Sequence, residues 1–132
     1  MQTLYQLQLF SLHFGWLGLA AGIASGAFMG PFFLRENWLG GYGSHPRRLL
    51  RLGHISFFGL AFLNLAFAGT VGLVPFGSRT AWCIGLCLAA GALTMPICCV
   101  LCAWRRSFRL LFPIPVTSLI VAISLILIRW PN

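Results

Sequence analysis

The sequence has almost no acid. Its 132 residues include a single carboxylate side chain, Glu36; aspartate and lysine are absent, and all nine residues counted as Lys or Arg are arginine. One acid cannot furnish the paired carboxylates of a glycoside hydrolase or the Ser-His-acid grouping of a membrane hydrolase. Nor is there a buried Asp or Glu for the proton relay that coupled transporters use. No enzymatic activity is expected. Charge is scarce altogether, at 8% of residues against 59% hydrophobic, with a mean hydropathy of +0.90; soluble domains carry about 25% charged residues. The paired Cys-x-x-Cys motifs of a zinc ribbon are also missing from the five cysteines.

What the sequence has is four long apolar stretches between arginines. Uncharged runs cover Met1–Leu34, Leu52–Ser78, Thr80–Trp104 and Leu110–Ile128. The shortest would extend about 28 Å as a helix, close to the roughly 30 Å hydrocarbon core of a bilayer. The expected fold is an all-α integral membrane protein with four transmembrane helices and short loops. The spans are placed near residues 9–33, 54–75, 80–103 and 110–128 of one domain covering 1–132. Met1–Gln8 carries no Lys or Arg, so the first run reads as a span rather than a cleaved signal peptide.

The arginines orient the spans. Arg35, Arg47, Arg48 and Arg51 fall between spans one and two, and Arg105, Arg106 and Arg109 between spans three and four; only Arg79 and Arg129 lie on the other side. By the positive-inside rule both termini face away from the cytoplasm, and a bacterial inner (cytoplasmic) membrane is the expected location. Trp82 and Trp130 fall at the outer boundary, and Trp38, Tyr42 and Trp104 at the inner one, as aromatic belts require. Arginines spread between apolar runs suit lipid contact rather than nucleic acid, and no nucleic-acid partner is expected.

Gly18, Gly22, Gly26 and Gly30 recur every fourth residue in span one. Small residues at this spacing let two membrane helices approach closely, so this face is expected to receive another helix or a partner. Asn64, in the middle of span two, is expected to hydrogen-bond across to a neighbouring helix. Span two offers a further stripe of Phe57, Ala61, Asn64, Ala68 and Gly72, and span three one of Cys83, Cys87, Gly91, Thr94, Cys98 and Cys102. Pro96 inside span three removes a backbone donor and frees the carbonyl of Ala92.

The segment from Arg35 to Arg51 is the candidate binding surface. Arg35, Glu36, Trp38, Tyr42, His45, Arg47, Arg48 and Arg51 could hold a lipid phosphate, a quinone headgroup or an acidic partner, while Gly40, Gly41 and Gly43 permit a tight fold-back. A Glu36–Arg pair could lock spans one and two together. A haem b or metal site would draw on His54 with His45, Met95, Cys98 or Cys102, since imidazole and soft sulfur are the ligands such centres take. His13 and His54 fall at opposite ends of their spans and cannot share one haem.

The reading that best fits these features is a non-catalytic membrane subunit or scaffold. It docks through the glycine helix onto other membrane subunits or its own copy, and binds membrane lipids or a partner through the arginine-rich loop. A haem- or metal-binding electron-transfer subunit using His54 is one alternative. A small passive channel using Asn64 and Thr94 is another.

Overall fold

The computed structural model describes residues 2–130. It is all-helical, with α1 at Gln2–Phe33, α2 at His45–Thr70, α3 at Ser78–Trp104 and α4 at Pro113–Ile128. Short 3-10 segments, Trp38–Gly40 and Arg106–Leu111, lead into α2 and α4. Four helices are long and apolar enough to cross a membrane, the fourth counted from Arg106 to Ile128. Alone, the 16 residues of α4 would reach only about 24 Å. The 3-10 turns ahead of it add roughly 2 Å per residue and complete the span.

The element boundaries differ from the expected spans most at α2. It begins at His45, well before residue 54, and ends at Thr70 rather than near Pro75. The early start has a local cause. Ser44 sits in extended backbone as the N-cap, and Pro46, whose missing amide donor costs nothing in a first turn, follows at once. Arg47, Arg48 and Arg51 therefore ride on the first turns of a helix, while Arg35 stays in the connection. α1 likewise starts at Gln2 rather than near residue 9.

Consecutive helices run antiparallel. α3 is the hub, packing against α1, α2 and α4. Its buried residues consequently point several ways: Ala81, Ile84, Gly85 and Leu88 toward one end, Cys98, Cys99 and Cys102 toward the other. The expected cysteine stripe is therefore not the packing face throughout, because Cys83 is exposed. α4 buries only Pro115 and Ala122, and is the peripheral helix its uniform apolarity suggests. Pro96 is buried within an unbroken α3, and Thr94 Oγ1 donates to Ala90 O at 2.6 Å rather than to the freed carbonyl of Ala92.

The densest core lies at the end opposite the arginine-rich connections. Leu7 of α1, Phe67 of α2, and Ala81, Ile84 and Leu88 of α3 meet there, with Ala122 of α4 and the connecting Val71, Val74 and Phe76. An apolar cleft of about 280 Å³ opens between Ser25 and Met29 on one side and Pro96 and Val100 on the other, with Gly53 and His54 among its lining.

Candidate functional site

The most specific arrangement in the molecule is the seam between α1 and α2. Glycines prepare it. A Cβ added at Gly18 would stand 2.9 Å from Ala61 Cβ and 3.4 Å from Ala61 Cα, so the two backbones are separated there only by the Ala61 methyl. At Gly15, Gly22 and Gly26 the added carbon would strike Leu65, the Phe58 ring and the His54 ring, at 2.5 to 2.8 Å. Only Gly30 of the repeat faces open space. The groove read as a docking surface for a partner is thus filled, over most of its length, by α2 of the same chain.

Polar side chains pin the seam at three depths. Near one end Gln8 Nε2 donates to Ala68 O at 3.1 Å. Toward the arginine end, Ser25 Oγ lies 2.9 Å from both Gly22 O and His54 Nδ1. Ser25 Oγ and His54 Nδ1 share a hydrogen bond whose direction is set by the imidazole tautomer, and the His54 ring edge lies on Gly26.

Arg47 makes the third and strongest pin. Its side chain is 2% exposed, and its guanidinium donates to Phe33 O, at 2.6 Å, and to Glu36 O, at 3.1 Å. These carbonyls belong to the end of α1 and the turn beyond it, where acceptors lack helical partners and the helix dipole is negative. Phe33 carries the cation on its ring face, 4.8 Å from centroid to Cζ, with Tyr42 at 5.6 Å and Trp38 at 5.8 Å. A lock between spans one and two therefore exists, but it differs from the expected Glu36–Arg pair. Arg47 binds the backbone carbonyl of Glu36, whose side chain is exposed. A carboxylate was not needed because the end of a helix already presents convergent oxygens.

The fold-back that delivers Arg47 uses left-handed backbone at Leu39, Gly40 and Gly41, with φ of 54°, 85° and 91°. Glycine accepts that region without penalty, whereas Leu39 is strained there. Trp38 packs on Phe32 and Phe33 at centroid distances of 5.5 and 5.2 Å. Tyr42 covers Arg51 at 4.4 Å, and Arg51 donates to Tyr42 O at 3.2 Å. The expected binding surface is accordingly divided. Trp38, Tyr42 and Arg51 gather around Arg47; Arg47 is buried, Trp38 and Arg51 are half-buried and Tyr42 is exposed. Arg35, Glu36, His45 and Arg48 remain exposed.

No family model, curated protein or solved structure matches the chain. Its function must therefore be argued from its own side chains.

Asn64 departs from expectation. It is 0% exposed, yet its Nδ2 donates to Leu60 O of its own helix at 2.9 Å and its Oδ1 has no partner, as is also true of Ser11 Oγ. It does not bridge helices. An orphaned buried carbonyl costs about 1–3 kcal/mol, whereas an apolar group of similar shape removes that penalty. Asn64→Leu is expected to leave the thermal midpoint in detergent unchanged or raise it, as followed by tryptophan fluorescence.

The metal or haem candidates are not gathered. Among the described residues no three His, Cys, Asp or Glu side chains form a group able to hold a metal ion. His54 is committed to Ser25 on α1. His45 begins α2, two and a half turns away, and lines a different cavity together with Cys102. Cys98 and Cys102 are buried free thiols on α3, and Met95 is half-buried on the same helix.

Proposed function

We propose that this chain is a non-catalytic integral membrane subunit or scaffold of a larger assembly. Its place would be the bacterial inner membrane, with both termini on the non-cytoplasmic side. The observation that carries the reading is how the interior polar groups are used. Gln8, Ser25, His54 and Arg47 all join α1 to α2; only Ser25 and His54 share a cavity, the apolar cleft at the arginine end, and there they bond each other. A bundle whose polar side chains hold helices together suits a structural role. The seven-to-two distribution of arginines supports the orientation, since cytoplasmic connections collect Arg.

Because α2 fills the glycine groove, partners are assigned to the remaining surfaces. These are the exposed arginine-end side chains Arg35 and Arg48, and the lipid-facing flanks of α1 and α4, which carry Trp16, Leu17, Phe28, Ile120 and Leu127. The partner is another membrane subunit with acidic groups at the same depth, or a second copy of this chain.

Purification in mild detergent, with an absorbance spectrum and identification of co-purifying polypeptides, tests the proposal. The expected result is a defined set of membrane polypeptides, no visible chromophore, and loss of those polypeptides in an Arg35→Gln/Arg48→Gln variant that still inserts. A Soret band belonging to this chain would overturn it in favour of electron transfer. A protein that emerges alone and passes small solutes in liposomes would overturn it in favour of a channel.

A further inference from the structure

A second basic feature lies outside the α1–α2 loop. Between the first turn of α2, the end of α3 and the 3-10 segment before α4 there is a cavity of about 340 Å³, lined by His45, Leu49, Cys102, Arg106, Arg109 and Phe112. Its shape follows from the backbone. In a 3-10 helix, side chains three residues apart eclipse one another. Arg106 and Arg109 therefore project along one edge of the Arg106–Leu111 segment, and Phe112 continues the row where the segment ends. The same three residues line the cavity. An α-helix would have rotated each successive member of the row by about 60°.

The lining divides by chemistry. Arg106, Arg109 and His45 are exposed and supply nitrogen donors, while buried Cys102 and half-buried Leu49 and Phe112 supply apolar surface. The chain's one carboxylate, Glu36, lies in the α1–α2 connection and takes no part in the lining. Two arginines lining one cavity with no acid in its lining leave their charge uncompensated until an anion enters, and planar guanidinium forks match phosphate oxygens. The apolar half asks for hydrocarbon attached to that anion.

We propose that this cavity binds the phosphodiester headgroup of an anionic phospholipid. The phosphate lies between Arg106, Arg109 and His45, and the first part of an acyl chain runs over Leu49, Cys102 and Phe112. Basic pockets between transmembrane helices take such headgroups. The site is separate from the loop assigned above to partners and stands whether or not the chain belongs to an assembly.

The test is native mass spectrometry of the full-length protein with phosphatidylglycerol or phosphatidylcholine supplied in detergent. Phosphatidylglycerol is expected to be retained over phosphatidylcholine, and to stay bound in millimolar inorganic phosphate. Each arginine removed is expected to weaken phosphatidylglycerol binding about fivefold, the effect of one basic residue near an anionic surface. Arg106→Gln/Arg109→Gln should thus lose roughly 25-fold by the same reasoning, while Arg106→Lys/Arg109→Lys keeps most of the binding. Arg79→Gln/Arg129→Gln, at the opposite end, is expected to bind as the parent does. An unchanged thermal midpoint in the Gln pair separates lost binding from lost folding. Equal retention by the Gln pair, or an equal loss in the Arg79/Arg129 control, would overturn the site. Displacement by inorganic phosphate would overturn the lipid assignment and leave a site for a free phosphoryl group.

Discussion

Arg47→Leu is expected to lower the thermal midpoint of the purified protein by on the order of 10 °C, corresponding to a loss of about 2–4 kcal/mol. The estimate rests on what the guanidinium does and on what its burial costs. Taking a cation out of water costs several kcal/mol. Against this stand two charge-assisted hydrogen bonds, worth about 1.5–3 kcal/mol each. The negative end of α1 contributes up to about 2 kcal/mol, and the aromatic faces about 0.5–2 kcal/mol each. The favourable terms win only because they act together at one place. Leucine would restore the packing volume but leave Phe33 O and Glu36 O without donors. Arg47→Lys should recover part of the loss, since a single ammonium cannot span both carbonyls and lie flat on Phe33. Arg48→Leu, one residue away and exposed, should change the midpoint by less than a degree or two, within the usual range for surface substitutions. If Arg47→Leu and Arg48→Leu behave alike, the guanidinium is not the pin described here.

The second large effect belongs to Gly18. A leucine there would place its Cβ 2.9 Å from Ala61 Cβ, with the α2 backbone just behind. No rotamer relieves that overlap, because the obstacle is the Ala61 methyl, fixed to the α2 backbone, rather than the tip of a flexible side chain. α1 and α2 must separate, and every contact along the seam weakens. Gly30→Leu, identical in chemistry and three turns further along the same helix, meets nothing within 4 Å and should be tolerated. Membrane insertion should survive in both variants, because it depends on the hydrophobicity of the span rather than on its packing. Limited proteolysis of the Leu34–Ser44 connection offers a direct readout: Gly18→Leu should expose it and Gly30→Leu should not. Equal protease resistance would show that the close approach at Gly18 is not required.

Gly22 and Gly26 are graded between these extremes. Their added carbons would meet the rings of Phe58 and His54, which can swing, so substitutions there should cost less than at Gly18. The price at Gly26 is displacement of His54 from Ser25.

Much of this architecture is legible in the amino-acid order. Four charge-free runs announce four membrane-length helices, and the four-residue glycine repeat announces a close helix crossing. What the repeat cannot say is which helix fills the groove. Packing against a partner and packing against α2 require the same small residues, and only the complementary placement of Ala61, Phe58 and His54 decides between them. Asn64 misled for a related reason: an amide in mid-span has two ways to use its donor, and the carbonyl of Leu60, four residues back on the same helix, was nearer than any neighbour.

Arg47 is the instructive case. As one of a cluster it looks like its neighbours Arg48 and Arg51. Its special position arises because Pro46 starts α2 early and the left-handed turn at Gly40 and Gly41 folds the chain back onto the end of α1. The Gly-Gly pair signals the turn, but nothing in the order of residues reveals that Arg47, rather than Arg48, points inward. The row of Arg106, Arg109 and Phe112 is hidden for another reason. Three-residue spacing eclipses side chains in a 3-10 segment, whereas in an α-helix the same three residues would spread over about 120°.

The central claim is that the glycine face of α1 is closed by α2 of the same chain. The most direct measurement is disulfide formation in a Gly18→Cys/Ala61→Cys variant on a background in which the five native cysteines are replaced. The two sites are close enough that a bridge needs the helices to part by only about 1 Å to reach the usual Cβ separation. Oxidation in membranes should yield a crosslinked monomer, in which both cysteines are consumed and no dimer appears. A crosslinked dimer through Gly18→Cys, or two thiols that stay free, would contradict the account and return the glycine face to a partner.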